Sequence, residues 1–291
     1  MKYSFILVNY AGSWDLISAC LASVARAARR SGTEYEAIVV NNDPPDDKAA
    51  VPNGAGVVEV GRNVGFARAV NLGVRASSGD AVVLVNPDSV VGEDFFASVS
   101  DLLARNPRVG VVGPRILDAD GAVQLSARRE LSLVSGFFGR TSLLTRLLPD
   151  SRFVKEHFPV AAEKGSKGSS PRVDWVSGAC MIVRRRVFER VGLLDERFFM
   201  YFEDADLCRR ARAAGYEVRY LPQTAVVHDA GGSTVSRPLA ILRLHRSAFL
   251  YHRKYGPHGP FGLVSGVVLA GLAVRAAAGI LACWLRRGSK P

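Results

Sequence analysis

The sequence predicts an α/β fold of Rossmann-like kind, a mostly parallel sheet with helices on both faces. Three observations predict it. Short runs of strand length, such as Ser4–Val8, Ala37–Val40 and Ala81–Val85, are apolar throughout and carry no internal charge. Segments with helical apolar spacing alternate with them. The runs end on polar residues, Asn9-Tyr10, Asn41-Asn42-Asp43, Gly61-Arg62-Asn63 and Asn86-Pro87-Asp88. In an open α/β sheet the ligand sits beyond the carboxyl ends of the strands, so these four ends should converge on one crevice.

The elements follow in order. After the strand at Ser4–Val8, Ser13 is a good N-cap, and Leu16, Ile17, Cys20, Leu21, Val24 and Ala28 recur at helical spacing until Gly32 stops the helix. A strand at Ala37–Val40 and another near Val57–Val60 precede a helix from about Phe66 to Ala76. The strand Ala81–Val85 leads to a helix from about Asp94 to Arg105 and a strand at Val109–Val112. Between Val134 and Pro171 the pattern weakens, and Gly165–Pro171 reads as a flexible polar loop over the crevice. Two short strands follow at Val173–Gly178 and Cys180–Val183, then a helix from near Glu203 to Gly215, then strands at Tyr216–Tyr220 and Ala225–Val227. There is no internal repeat.

Length and composition narrow the function. A chain of 291 residues, 48% apolar, can bury a full core, which excludes disorder, collagen and small disulfide scaffolds. The net charge of +11 suggests a polyanion partner until its location is read. Nine basic residues lie beyond Asp229, where there is no acid, so the first 229 residues are nearly neutral. That distribution argues against nucleic acid and for a membrane surface. Cys20, Cys180, Cys208 and Cys283 form no C-x-x-C pair, which fits buried thiols in a reducing cytosol. Only six residues of apolar character lead into Asn9, so no signal peptide is expected and the catalytic part is expected in the cytoplasm.

Neither G-x-G-x-x-G nor a Walker A loop follows a strand, and asparagine and aspartate dominate the rim instead. Such a rim suits a base and ribose held by side chains, with phosphates held by a metal. Asp88 follows a core strand behind the rigid Pro87 and faces the predicted crevice, where a divalent cation would bridge it to diphosphate oxygens. Asn-Pro-Asp is equally an ordinary turn. Glu203-Asp204-Ala205-Asp206 opens a helix, where acids are favoured by the dipole alone; emerging from the aromatic run Phe198–Phe202, they also suit a general base. His228 is a packing residue or, as a neutral imidazole, a second metal ligand beside Asp88.

Taken together, Ile6–Tyr10, Ile38–Asn42, Asn63–Gly73, Gly79–Asp88, Val111–Arg115, Asp174–Ala179, Phe198–Leu207 and Val226–His228 make the chain recognisable. It resembles the family 2 glycosyltransferases of GT-A fold, in their rhamnosyltransferase-like branch of bacterial cell-surface polysaccharide synthesis. The resemblance covers roughly residues 3 to 255. It implies a metal, Mg2+ or Mn2+, on Asp88 and His228, with Asn86 in place of the first acid of the family's D-x-D and contacting the nucleotide. It implies Asp204 as catalytic base, Glu203 as an acceptor contact, Asn9, Asn41 and Asn63 along the base and ribose, and Trp175 and Gly178 bordering the sugar and acceptor. One departure is Asn41 followed by Asn-Asp-Pro-Pro, where the family often has Asp and then Asn-Ala-Ser. The implied reaction is a single displacement with inversion from a dTDP- or UDP-linked sugar, dTDP-L-rhamnose first and a galactofuranosyl or other hexosyl donor next, onto a lipid-linked saccharide. A non-catalytic nucleotide-sugar-binding protein is the other reading.

The resemblance implies a division at residue 236 into a GT-A domain, 1–236, whose nucleotide-binding half is about 1–115 and acceptor-side half about 172–236, followed by a basic, apolar helical tail, 237–291. Pro238–Tyr255 reads as one helix, free or docked on the domain. Phe261–Leu285 is long enough to span a bilayer, but Arg275 near its middle would cost about 2.5–3.5 kcal/mol there. A segment lying in the interface at the cytoplasmic face, with Arg286, Arg287 and Lys290 on anionic lipid, is the preferred reading.

Overall fold

The computed structural model describes residues 1–11, 13–44, 54–129, 169–229, 236–258 and 260–287. Its centre is a sheet with nine strands among the described residues. Strands β1 (Tyr3–Asn9), β2 (Tyr35–Asn41), β3 (Ala55–Glu59) and β4 (Ala81–Val85) run parallel in the order β3-β2-β1-β4. The order continues through β10 (Cys180–Arg184), β6 (Val109–Leu117), β11 (Glu217–His228) and β5 (Ser89–Val91), while β8 (Arg172–Val173) pairs with β11. Six strands share one direction; β5, β8 and β10 run against it. A second, two-stranded sheet joins β7 (Ala127–Arg128) to β9 (Trp175–Val176).

The unbroken apolar runs arise because successive side chains point to opposite faces, and both faces are buried. Tyr3, Phe5 and Leu7 of β1, with Ala81, Val83 and Val85 of β4, feed one core. It is closed by helices α1 (Trp14–Ser31) and α3 (Phe95–Arg105), with the rings of Tyr3 and Phe96 5.2 Å apart. Ile6, Val8, Val82 and Leu84 feed the opposite core, under α2 (Phe66–Ala76), α4 (Arg185–Val191) and α5 (Glu203–Ala213).

Several elements differ from the sequence expectation. The strand starting at Val109 runs on to Leu117, and the two late strands are one, β11, bent by a register shift between Leu221 and Ala225. β5 and α4 were not legible: three residues and two turns are too short for periodicity to declare. Ser13 sits at the N-cap of α1, but its hydroxyl donates to Asn9 Oδ1 at 2.8 Å instead of capping the helix. The predicted loop at 165–171 falls largely outside the described residues.

The tail is two helices, α6 (Arg237–Tyr255) and α7 (Leu263–Arg287), joined through a short 3-10 turn at Pro260–Gly262. α6 is docked on the domain: its Tyr251 packs with Phe198 and Ala205, and Ser247 Oγ donates to the Met200 carbonyl at 2.8 Å. α7 packs along α6.

Candidate active site

The reversed direction of β10 builds the site. Because β10 runs against β4, with Cys180 opposite Val85, the segment Trp175–Ala179 arrives at the carboxyl end of β4. There the Asn86 amide donates to the Ala179 carbonyl at 3.0 Å. A second antiparallel pairing, Ser89 of β5 with His228 of β11, brings Asp88 and His228 side by side from 140 residues apart in sequence.

His228 Nε2 lies 3.3 Å from Asp88 Oδ1 and 3.1 Å from Asn86 Nδ2. The other ring nitrogen, Nδ1, is 3.3 Å from Gln124 Oε1, and Gln124 Nε2 donates to the His228 carbonyl at 3.0 Å and to Asp118 Oδ1 at 2.7 Å. With Nδ1 donating to Gln124, Nε2 is the acceptor nitrogen, on the side of Asn86 and Asp88. Asp88 Oδ1 is itself buried with no hydrogen-bond donor. An orphaned carboxylate oxygen facing an imidazole nitrogen, with the ring fixed from behind by Gln124, fits a hard or borderline divalent cation. Among the described residues no group of three His, Cys, Asp or Glu side chains is placed to hold a metal, so substrate oxygens would have to complete the shell. Gln124 carried no motif in the sequence; only its place beneath His228 gives it a role.

At the ends of β1 and β2 the asparagines hold one another. Asn9 Nδ2 donates to Asn41 Oδ1 at 2.9 Å, and Asn41 Nδ2 donates to Glu59 Oε2 at 2.8 Å. Asn9 and Asn41 are both buried. Asparagine at 41 supplies the donor that the Glu59 carboxylate needs, whereas an aspartate there would set two acceptors against each other. Asn42 Nδ2 donates to Asn63 Oδ1 at 3.1 Å, and Asn63 Oδ1 also receives the Gly65 amide at 2.9 Å. Asn9, Asn41 and Asn63 are thus latches that shape this rim, with Asn42 and Glu59 as partners that sequence reasoning did not single out.

On the opposite side, α5 opens with Glu203 and Asp204. Asp204 Oδ2 accepts the Gly178 amide at 2.9 Å and Oδ1 accepts the Ala205 amide at 2.8 Å. Burial pushes the Asp204 carboxyl above the ordinary aspartate range, while those two amides and the Arg128 charge pull it back. Glu203 is buried, its Oε2 has no hydrogen-bond partner, and burial together with the Asp204 charge pushes its carboxyl well up. Asp204 takes the amides of Gly178 and Ala205, whereas only its own amide lowers Glu203, so of the pair Asp204 ionises the more readily. Trp175 lies beneath the Arg128 guanidinium, 4.7 Å from its ring centroid, with its indole N–H buried and unpartnered.

The backbone leading into α5 is strained. Tyr201 and Phe202 both have positive φ, 71° and 69°, which costs about 1–2 kcal/mol per non-glycine residue. On one side the strap 198–202 is held to α2 by Phe66 N–H donating to the Phe199 carbonyl at 2.7 Å. That approach requires Gly65, since a Cβ there would stand 2.8 Å from the Phe199 carbonyl oxygen.

A site at the carboxyl edge of such a sheet, with an acid and a histidine on one side and an acid at a helix N-terminus on the other, defines a class: the GT-A glycosyltransferases. The fold matches a mannosyltransferase from Pyrobaculum calidifontis, solved with GDP-Man and Mn2+, with a TM-score of 0.57 at 18% identity, over 99% of this chain and 79% of that one. The family model described as glycosyltransferase like family 2 matches residues 4–246, and the chain belongs to that family. It is a glycosyltransferase. It is 34% identical over 248 residues to the N-acetylglucosaminyl-diphospho-decaprenol L-rhamnosyltransferase of Mycobacterium tuberculosis, covering 79% of this chain and 78% of that protein. It is also 25% identical over 210 residues to a dTDP-rhamnosyl transferase of Shigella flexneri, covering 71% of this chain and 63% of that protein.

Proposed function

We propose that this glycosyltransferase is inverting and dependent on Mg2+ or Mn2+, and that it moves L-rhamnose from dTDP-L-rhamnose to a lipid-linked saccharide in surface polysaccharide synthesis. The observation that carries this reading is the facing pair of sites, Asp88 with His228 across from Asp204 on the Gly178 amide. The two rhamnosyl relatives support the donor, and the decaprenol-linked substrate in the name of one supports the acceptor class.

Asp204, charged and held by two backbone amides, takes the proton from an acceptor hydroxyl. The hydroxyl oxygen bonds to the anomeric carbon as the bond from that carbon to the phosphate oxygen breaks, which inverts the centre and releases the nucleoside diphosphate. Glu203, its carboxyl pushed up by burial beside Asp204, is the acid placed to contact the acceptor. Trp175 and Gly178 bound the space for the sugar. Asp88 and His228 would hold the divalent ion, which supplies positive charge to the departing diphosphate. The asparagine latches fix the nucleoside rim.

The tail brings the site to its lipid. α7 is the one helix among the described residues long and apolar enough to cross a membrane. Its exposed side includes Leu263, Val267, Val274, Leu281 and Trp284 and no charged residue among those described, while Arg275 lies on the packed side, near His245 of α6. This arrangement supports an apolar face laid into the anionic cytoplasmic leaflet. Val267→Gln with Leu281→Gln, which remove apolar surface without adding charge, should reduce co-sedimentation with anionic liposomes; unchanged sedimentation would remove the membrane part of the proposal. A panel of dTDP-, UDP- and GDP-sugars, assayed with Mg2+ or Mn2+ and a polyprenyl-diphosphate N-acetylglucosamine acceptor, tests the reaction. Transfer from dTDP-L-rhamnose is expected, and preference for another sugar would reassign the donor.

A further inference from the structure

The third acid of Glu203-Asp204-Ala205-Asp206 does not face the site. Asp206 is fully buried and bonds Arg210 Nε at 2.8 Å, Lys254 Nζ at 2.6 Å and the Tyr255 hydroxyl at 2.7 Å. Lys254 also reaches Asp195 at 2.8 Å, in the segment before the strap. Helix-dipole stabilisation alone would be met by an exposed acid. Burying a carboxylate costs several kcal/mol unless it is paired, and two of the partners here come from the last turn of α6. The cluster therefore fixes α6 against α5.

Three further contacts carry α6 along the strap. Ser247 Oγ donates to the Met200 carbonyl at 2.8 Å, the Tyr251 ring is 5.5 Å from that of Phe202, and the Arg243 guanidinium lies 4.4 Å over Phe199. These contacts flank the two strained residues, Tyr201 and Phe202. Strained backbone persists only where its surroundings over-determine it. α2 holds the strap on one side and α6 holds it on the other.

We propose that Asp206 is a positioning residue that, through Lys254 and Tyr255, clamps α6 against the strap and so keeps Asp204 on the Gly178 amide. The tail is in this way part of the catalytic apparatus as well as its anchor, and the helix that meets α7 is the one that sets the base. The inference rests on Asp204 being the base.

The test uses the full chain reconstituted in liposomes, with Tyr255→Phe and Ser247→Ala, which each remove one hydrogen bond while keeping shape, and Asp206→Asn, which removes the charge. With dTDP-L-rhamnose and the polyprenyl-diphosphate acceptor, kcat is expected to fall about 10–100-fold in Asp206→Asn and less in the other two, with the KM for donor within about twofold, since an ångström of misplacement costs about that much. Backbone amides of 199–206 should exchange with deuterium at least about tenfold faster, while β1 and β4 stay protected. Unchanged kcat and unchanged exchange in the strap overturn the proposal, and so does exchange that quickens equally in β1 and β4. Should Asp206→Asn fail to fold, the two milder variants decide by the same measurements. Asp204→Asn is run alongside: wild-type transfer in that variant removes the base, whereas the strap exchange still reports whether Asp206 clamps α6.

Discussion

The two rims of the crevice are built on opposite plans. On the rim made by β1, β2 and the turn before α2, side-chain amides satisfy one another, buried Asn9 with Asn41 and buried Asn42 with half-buried Asn63, and Asn41 finds Glu59. On the rim made by β5, β9 and α5, buried polar atoms stand unpaired: Asp88 Oδ1, the Trp175 indole nitrogen and Glu203 Oε2. Positive-φ backbone occurs on both rims, at Ala11 after β1 and at Tyr201 and Phe202 before α5, so pairing and not strain separates them. A satisfied network holds a shape, while an unpaired buried group is open to a further partner.

Breaking the second rim should cost activity before stability. Asp204→Asn keeps the Gly178 contact as an acceptor but loses basicity, so transfer should fall about 10²–10⁴-fold with donor binding, measured by calorimetry, intact. A variant with normal transfer would falsify the base assignment. Gln124→Ala frees the His228 ring from behind and should weaken Mn2+ affinity about 10–100-fold, read by titrating the metal against binding of dTDP. Unaltered affinity would deny His228 its place as a ligand.

Breaking the first rim should cost stability before chemistry. Asn9→Ala leaves the Asn41 carbonyl and the Ser13 hydroxyl without their partner, a loss of about 1–3 kcal/mol in denaturant unfolding. A change in kcat without one in stability would blur the contrast between the rims. A gentler probe is pH. Glu203 has its carboxyl pushed above the unfolded value, so it contributes stability below the ordinary carboxylate range that is lost as pH rises through the raised folded value. Glu203→Gln removes that loss, and its melting temperature should exceed wild type by a margin that widens with pH. A margin that stays constant or narrows with pH would mean that the folded protein does not raise the Glu203 carboxyl above its unfolded value. Ser13→Ala, which removes one bond to Asn9 and no cap, should cost least, about 1 kcal/mol or less.

Legibility followed the same division. The apolar runs of β1, β2 and β4 announced the sheet, because residues buried on both faces leave no polar alternation. The helix expected from about Phe66 to Ala76 is α2, Phe66–Ala76. Asp88, Asp204 and His228 were singled out at strand and helix ends, and the fold sets Asp88 beside His228 and Asp204 on the Gly178 amide. Gln124 and the clamp on Asp206 were not, because each depends on a partner about fifty to a hundred residues away. The Asn41 departure from the family pattern was visible, but its partner Glu59 was not, since the register of β2 against β3 supplies it.

An α/β sheet, a polar rim at its strand ends, the candidate acids and histidine, and a basic apolar tail can all be read from the order of residues. Those properties are local, written in periodicity, composition and the residues that end each element. The direction of β10, the pairing of β5 with β11 that joins Asp88 to His228, and the docking of α6 on the strap emerge only when the chain is folded. Strand direction and helix docking are chosen by long-range pairing and burial, whose free energy belongs to contacts between segments and to neither segment alone.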